Sequence, residues 1–278
     1  MNTVGRRWLA GSLGALLVVT SLLAGHALSN DAKPFRVCAD PDNLPFSNQQ
    51  QQGFENKIAE LVARELGAPL SYYWWPHQRG LVRNTLRADQ CDVLIGIPKG
   101  YDPVLWTKPY YRSAYVIAYH EKSGRQITTL DAPALRQLRI GVHRNTPPEE
   151  ALARRGILDN VVGYSLFYDP RGPTSERPSK LVTDLVVGTI DVAVAWGPLV
   201  GYFAKKLNVP LELVPLTGDP GVPLAFDISM GVKKGDQALK TRLEDVLDRR
   251  RVDIRKVLED YGVPLLPADA PGTKGAGG

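Results

Sequence analysis

The sequence predicts an α/β protein of two lobes, joined by a two-strand hinge around a central cleft, on three observations. Residues 36–96 alternate short apolar stretches with amphipathic ones in the order of a βαβαβ unit. The alternation restarts after Tyr119 and builds a second βαβ-type lobe. A third block, a strand-like stretch at 225–232 followed by two helices to Tyr261, has no lobe of its own, so it returns to the first. Lobe I is then discontinuous, 34–111 plus 226–262, and lobe II spans 114–222.

The elements follow in order. Lobe I is a strand at 36–39, a helix at 54–66, a strand at 69–74, a helix at 80–89 and a strand at 92–96, with a Gly/Pro turn leading to a further strand that ends at Tyr119. In such a unit the strand C-terminal ends and their loops share one edge, where ligands bind. Lobe II starts with a strand at 138–142. In Asn145-Thr146-Pro147-Pro148, Thr146 is the candidate N-cap of a helix over 149–155. A Pro/Gly/Ser-rich connection at 169–179 leads to a helix at 180–187 and a buried strand at 191–196. An amphipathic helix at 236–250 and a shorter one to Tyr261 follow the strand at 225–232. The chain crosses between lobes near 110–114 and 223–227, which makes those two strands the hinge.

At the start, Arg6 and Arg7, an apolar run to about Ala24 and the small residues Gly25, Ala27 and Ser29 have the order of a secretory signal, assigned to 1–29. An uncleaved anchor is the competing reading, but the apolar run is short for a membrane span and carries Gly11 and Gly14. Export to the periplasm with cleavage is expected, by either the general or the twin-arginine route, and no stable membrane insertion. Removing the signal takes the formal net charge from +5 to about +3, too mild to imply nucleic acid. The Pro/Gly/Ala-rich end, 267–278, reads as a disordered tail. Cys38 and Cys91 fall on the first and third strands, neighbours in the usual doubly wound order, and an exported protein meets an oxidising compartment, so a disulfide is expected. Two buried thiols are the alternative. No CxxC, paired His or clustered Asp/Asn/Glu loop is present, so neither a metal nor another cofactor is expected.

The run RVCADPDNLPFSNQQQQGFENKIAELVARELG resembles the opening of type II periplasmic solute-binding proteins: strand, proline before an aromatic, Gly-Phe turn, amphipathic helix ending in Leu-Gly. A tighter resemblance lies in WWPHQRGLVRNTL, CDVLIGIPKGYDPVLWTKPYYRSAYV, DVAVAWGPLVGYFAKKL and LAFDISMGVKKGD. These segments, in order and from both lobes, are similar to the MoxJ/XoxJ family, the binding-protein-like accessory proteins associated with quinoprotein (PQQ-dependent) methanol dehydrogenase. The resemblance implies a partner, the dehydrogenase large subunit in an immature form, and no catalysis.

Amino-acid-binding members of the superfamily hold the ligand carboxylate with an arginine after the third strand and its ammonium with a carboxylate on a second-lobe strand, because a buried zwitterion needs both charges paired. Here the loop from Gly96 to Tyr111 has no arginine; its cations are Lys99 and Lys108, and Pro98 and Pro103 stiffen it. Trp196 stands where the second-lobe carboxylate would be. Candidates for the cleft are Asp40, Asn43 and Phe46 after the first strand, Trp75 and Arg79 after the second, Pro98, Lys99 and Tyr101 after the third, Tyr111 in the hinge, and Asn145, Thr146 and Trp196 in lobe II. Each has a plainer role available: a turn cap for Asp40 and Asn43, a solvated turn for Lys99, core for Trp196, an ordinary N-cap for Thr146. Trp74 and Trp75 are adjacent and face opposite sides, so one is core and the other cleft or surface. Asn145 and Thr146 also open a helix whose free N–H groups offer a modest anion site.

Three function classes compete. An enzyme needs a positioned acid, base or nucleophile, and no carboxylate pair or Ser-His arrangement is readable; His77 is the only histidine in a cleft loop. A solute receptor of an ABC-type importer needs a permease and a compact ligand other than a standard amino acid. An accessory protein needs a polypeptide surface, for which Trp75, Tyr101, Tyr111 and Trp196 are aromatic anchors and Arg79 and Lys99 are rim charges. The resemblance favours the third.

Overall fold

The computed structural model describes residues 33–169, 171–173 and 177–267. The expected signal, 1–29, and the expected tail, apart from Pro267, lie outside these. The chain runs β1 (Phe35–Ala39), β2 (Asp42–Asn43), β3 (Ser47–Asn48), α1 (Phe54–Leu66), β4 (Leu70–Trp74), α2 (Leu81–Asn84), β5 (Val93–Pro98), β6 (Leu105–Trp106) and β7 (Tyr111–His120). After 3-10 turns at Glu121–Ser123 and Pro133–Gln137 come β8 (Ile140–His143), α3 (Pro147–Arg154), β9 (Val161–Tyr164), α4 (Lys180–Val186), β10 (Val192–Trp196), α5 (Gly197–Leu207), β11 (Leu211–Pro215), β12 (Ala225–Val232), α6 (Gln237–Arg249) and α7 (Arg251–Asp260).

Strands order as β4-β1-β5-β12-β7-β10-β8-β9, with β11 on β7 and β6 on β12. The outer pairs β4/β1, β1/β5, β10/β8 and β8/β9 are parallel, as crossover helices require. The two middle strands are antiparallel and join the lobes: Tyr111 to Ala114 of β7 pair with Ile228 to Ala225 of β12. Beyond that pairing β12 continues along β5 into one lobe, and β7 continues along β10 and β11 into the other. Each lobe has its own core. In the first, Phe54, Ile58 and Val62 of α1 pack with Leu243, Val246 and Leu258 of α6 and α7 against Val37, Val93 and Met230. In the second, Ile140, Val192 and Val194 form one face and Leu181, Leu185 and Val200 pack on the other.

α1 begins where the Asn56 carboxamide oxygen accepts the Gly53 and Asn48 N–H groups, and it ends at Gly67, whose φ of 63° is the left-handed cap conformation. α2 is far shorter than the helix expected over 80–89. Thr85 turns its hydroxyl back onto the Leu81 carbonyl at 2.6 Å, and Asp89 adopts φ 54°, so the chain leaves the helix after one turn. Cys38 and Cys91 form a disulfide, with Cα atoms 5.5 Å apart. Cys91 lies two residues before β5 rather than within it. Together with Val82, Leu86, Leu94, Ile97 and Val104 the bridge fills a small core under α2. Among the described residues no helix is long and apolar enough to cross a membrane.

Candidate functional site

The C-terminal ends of β1, β4, β5, β8 and β10 converge on the hinge, and between the lobes they leave a cavity of about 410 Å³. Asp40, just past β1, is buried and saturated. One carboxylate oxygen accepts the Asp42 N–H at 2.9 Å and the Tyr168 hydroxyl; the other accepts the His77 N–H at 2.6 Å. Tyr168 belongs to the opposite lobe, so this hydrogen bond crosses the cleft. Burial, then the Asp40 bond, pushes the Tyr168 hydroxyl pKa up, which keeps it a donor. A second crossing pair lies alongside: the Arg177 guanidinium is 2.7 Å from Asp42 and 4.4 Å from the Tyr168 ring centroid. The cleft is closed along this side.

Glu55 is different. It is the second residue of α1, and its side chain passes over Gly96 of β5, where a Cβ would stand 2.0 Å from the nearer carboxyl oxygen. Only glycine leaves that space. No hydrogen bond or ion pair to the Glu55 carboxyl occurs among the described residues; burial, and then the charge of Asp40, pushes its pKa up to about 8. Glu55 in turn raises the already high pKa values that burial gives Tyr110 and Tyr111. His143, at the end of β8, is buried with Nε2 3.0 Å from the Pro178 carbonyl; burial lowers its pKa and that bond offsets part of the effect. His77 sits at the mouth, solvent-exposed; crowding by protein lowers its pKa and Asp40 raises it in part.

The walls are aromatic. Tyr115, Trp196 and Phe226 pack edge to face with centroids 5.3, 6.0 and 6.2 Å apart. Trp74, half-buried, stacks on Tyr72 at 4.6 Å against the first lobe's core, while Trp75 lines the cavity. No lysine or arginine is among the cavity-lining residues.

Beside the cavity, and sharing His77, Leu81, Leu94, Gly96, Pro98 and Phe167 with it, is an open groove of about 580 Å³. Arg79, Arg83 and Arg87 line it, all exposed and none in an ion pair among the described residues. Tyr101 and Phe167, 42% and 53% exposed, flank them. Gly80, at φ 86°, supplies the turn that sends α2 along this groove.

Of the residues singled out from sequence, Asp40, Asn43, Phe46, Trp75, Pro98, Tyr111, Thr146 and Trp196 line the cavity, and Arg79 and Tyr101, with Pro98, line the groove. Lys99 and Asn145 line neither. Lys99 is exposed and turned toward Asp227, 4.0 Å away. Asn145 is exposed at φ 59°, and its N–H is held by the Glu149 carboxylate at 2.7 Å. The expected anion site at this helix start is therefore absent: Glu149 occupies it, and Pro147 and Pro148 have no N–H to offer. Thr146 sits at the N-cap but donates its hydroxyl to the His143 carbonyl instead of accepting from the helix. Sequence reasoning passed over Glu55, Tyr115, His143, Phe226, Tyr168, Arg83 and Arg87. The one local signal was the four-residue spacing of Arg79, Arg83 and Arg87, of which the helix Leu81–Asn84 holds only Arg83.

Two α/β lobes, a two-strand hinge and a cavity at the strand ends define a solute-binding protein. Residues 35–263 match the family model for bacterial extracellular solute-binding proteins, family 3, and the chain belongs to that family. It is 33% identical to protein MoxJ of Methylorubrum extorquens AM1 over 257 residues, 88% of this chain and 85% of that one. The crystal structure of periplasmic binding protein XoxJ from Methylobacterium extorquens AM1 is 40% identical with a TM-score of 0.71, covering 84% of this chain and all of that one. MxaJ from Methlophaga aminisulfidivorans MPT is 30% identical, with a TM-score of 0.70 over the same shares. Within the solute-binding proteins, then, the chain is a member of the MoxJ/XoxJ family.

Proposed function

We propose that this chain is a non-catalytic periplasmic accessory protein for a PQQ-dependent methanol dehydrogenase, and that it contacts the immature large subunit through the rim of its cleft. The observation that carries the reading is the groove: three arginines without ionic partners beside two exposed aromatics, on the lip of a binding-protein cleft. Arginine and aromatic side chains dominate the energetics of protein contacts, and unpaired cations steer an acidic partner into register. Kinship with MoxJ and XoxJ supplies the direction toward methanol oxidation. Arg79 and Tyr101 are the contact residues here, whereas Trp75, Tyr111 and Trp196 face the cavity. Deleting the gene should leave the large subunit present in the periplasm but poorly active; normal activity per molecule of large subunit would sink the proposal.

The interlobe cavity favours a second reading, a receptor of an ABC-type importer for a small molecule. Standard amino acids do not suit it, since no cation among the lining residues pairs a carboxylate and burying that charge alone costs several kcal/mol. Calorimetry with the amino acids should show no submicromolar binding. Export with cleavage between residues 28 and 31 belongs to both readings, and N-terminal sequencing of periplasmic protein checks it.

A further inference from the structure

We propose that the interlobe cavity is a receptor site for an ammonium group carried on an apolar or aromatic stem, with Glu55 as its counter-charge. The proposal concerns the cavity alone and stands whether or not the neighbouring groove docks a dehydrogenase.

The first support is charge. Asp40, the other carboxylate in the cavity, already accepts three donors, whereas Glu55 accepts none. A half-buried carboxylate with no protein donor is poorly solvated, so a proton or a cation from outside neutralises it favourably. Among the described residues no lysine or arginine lines the cavity, and burial lowers the pKa of His143, so no permanent cation stands there. Gly96 keeps the space above β5 free for this carboxyl, where any side chain would collide with it.

Shape is the second. Trp75, Tyr111, Tyr115, Trp196 and Phe226 line the same cavity as Glu55, and aromatic faces attract a desolvated cation while also burying its apolar stem. A volume of about 410 Å³ suits a small molecule rather than a folded segment. The absence of a carboxylate partner separates this ligand from an amino acid: the group recognised is an amine cation without an accompanying acid.

Protonation gives the site a signature. The groups around Glu55 are Asp40 after β1, Tyr72 of β4, Tyr110 just before β7 and Tyr111 at its start, with His77 at the mouth and His143 across the cleft. The three tyrosines have raised pKa values and stay neutral as pH rises through about 8, so Glu55 is the group whose proton an entering ammonium displaces.

Titration calorimetry on the purified mature chain, with butylammonium, benzylammonium and 2-phenylethylammonium, tests this against the neutral isostere 2-phenylethanol. At least one amine should bind about tenfold more tightly than the alcohol. Its affinity should rise between about pH 6 and about pH 8, with proton release seen as a buffer-dependent enthalpy. Glu55→Gln should abolish both the preference for the cation over the alcohol and the proton release. Glu55→Asp, which keeps the charge on a shorter arm, should retain part of the preference. Equal binding of amine and alcohol, no binding of any of the amines at about 1 mM, or an undiminished preference in a folded Glu55→Gln protein would each overturn the proposal.

Discussion

The cavity and the groove share a wall, and their chemistry is opposite. On the inner side, a lone carboxyl and aromatic rings are closed off by Asp40 with Tyr168 and Asp42 with Arg177. Toward the solvent, Arg79, Arg83 and Arg87 have no ionic partner among the described residues and stand beside exposed Tyr101 and Phe167. In this way one set of strand ends provides a deeper, aromatic-walled cleft and, beside it, a cationic groove. In a receptor for amino acids the charged clamp would lie inside; here the cations have no place in the cavity and gather on its lip.

The largest effect should come from the wall that both regions use. Cys38 lines the cavity, and the disulfide to Cys91 anchors the small core under α2, on which the groove is built. Replacing both cysteines with serine should cost about 4 kcal/mol of unfolding free energy for a loop with a sequence separation of 53, read from denaturant unfolding. It should also weaken binding at both regions; losing only one would break the shared-wall account.

Next in size is Trp196→Ala, which removes the ring that touches Tyr115 and Phe226. It should cost about 3 kcal/mol in stability and impair the cavity while sparing the groove.

Glu55→Gln sharpens the electrostatic side of the comparison. Because folding raises the Glu55 pKa from 4.5 to about 8, the folded state holds the proton more tightly. Its contribution to stability is therefore full below about 4.5 and is lost as pH rises through about 8. Above that range the glutamine variant should be more stable than the parent by about 2 kcal/mol, a figure reduced for the water that reaches a partly accessible side chain. Unfolding midpoints across pH check this, and identical slopes in parent and variant would contradict the burial assigned to Glu55.

Smallest in stability is the triple change of Arg79, Arg83 and Arg87 to alanine. Exposed and unpaired, these residues should alter stability by no more than about 0.5 kcal/mol. Their loss should instead show as weaker and less salt-dependent association with the partner, while the cavity keeps its ligand.

How much of this was legible depends on how local the cause was. The 54–66 helix and the 225–232 strand emerge with the expected bounds because apolar periodicity and a terminal Gly67 determine them nearby. The two-lobe plan was legible from a pattern that restarts. α2 was overestimated because Thr85 and Asp89 act through a side-chain bond and a left-handed backbone, neither of which disturbs the hydrophobic pattern. Glu55 was missed because an acid in the first turn of an amphipathic helix reads as a solvated partner of the helix dipole. Its carboxyl lies over Gly96, a neighbour only in three dimensions. The cross-cleft bond from Tyr168 to Asp40 is of the same kind, joining residues of different lobes.

The central claim is that the groove, and not the cavity, engages the dehydrogenase. The most direct test is equilibrium binding of the purified, PQQ-free large subunit to the parent chain, to the triple arginine variant and to Glu55→Gln at the same salt. The account predicts that the parent binds, that the arginine variant binds about tenfold or more weakly, and that Glu55→Gln binds like the parent. Failure of the parent to bind, or loss of binding in Glu55→Gln with none in the arginine variant, would contradict it.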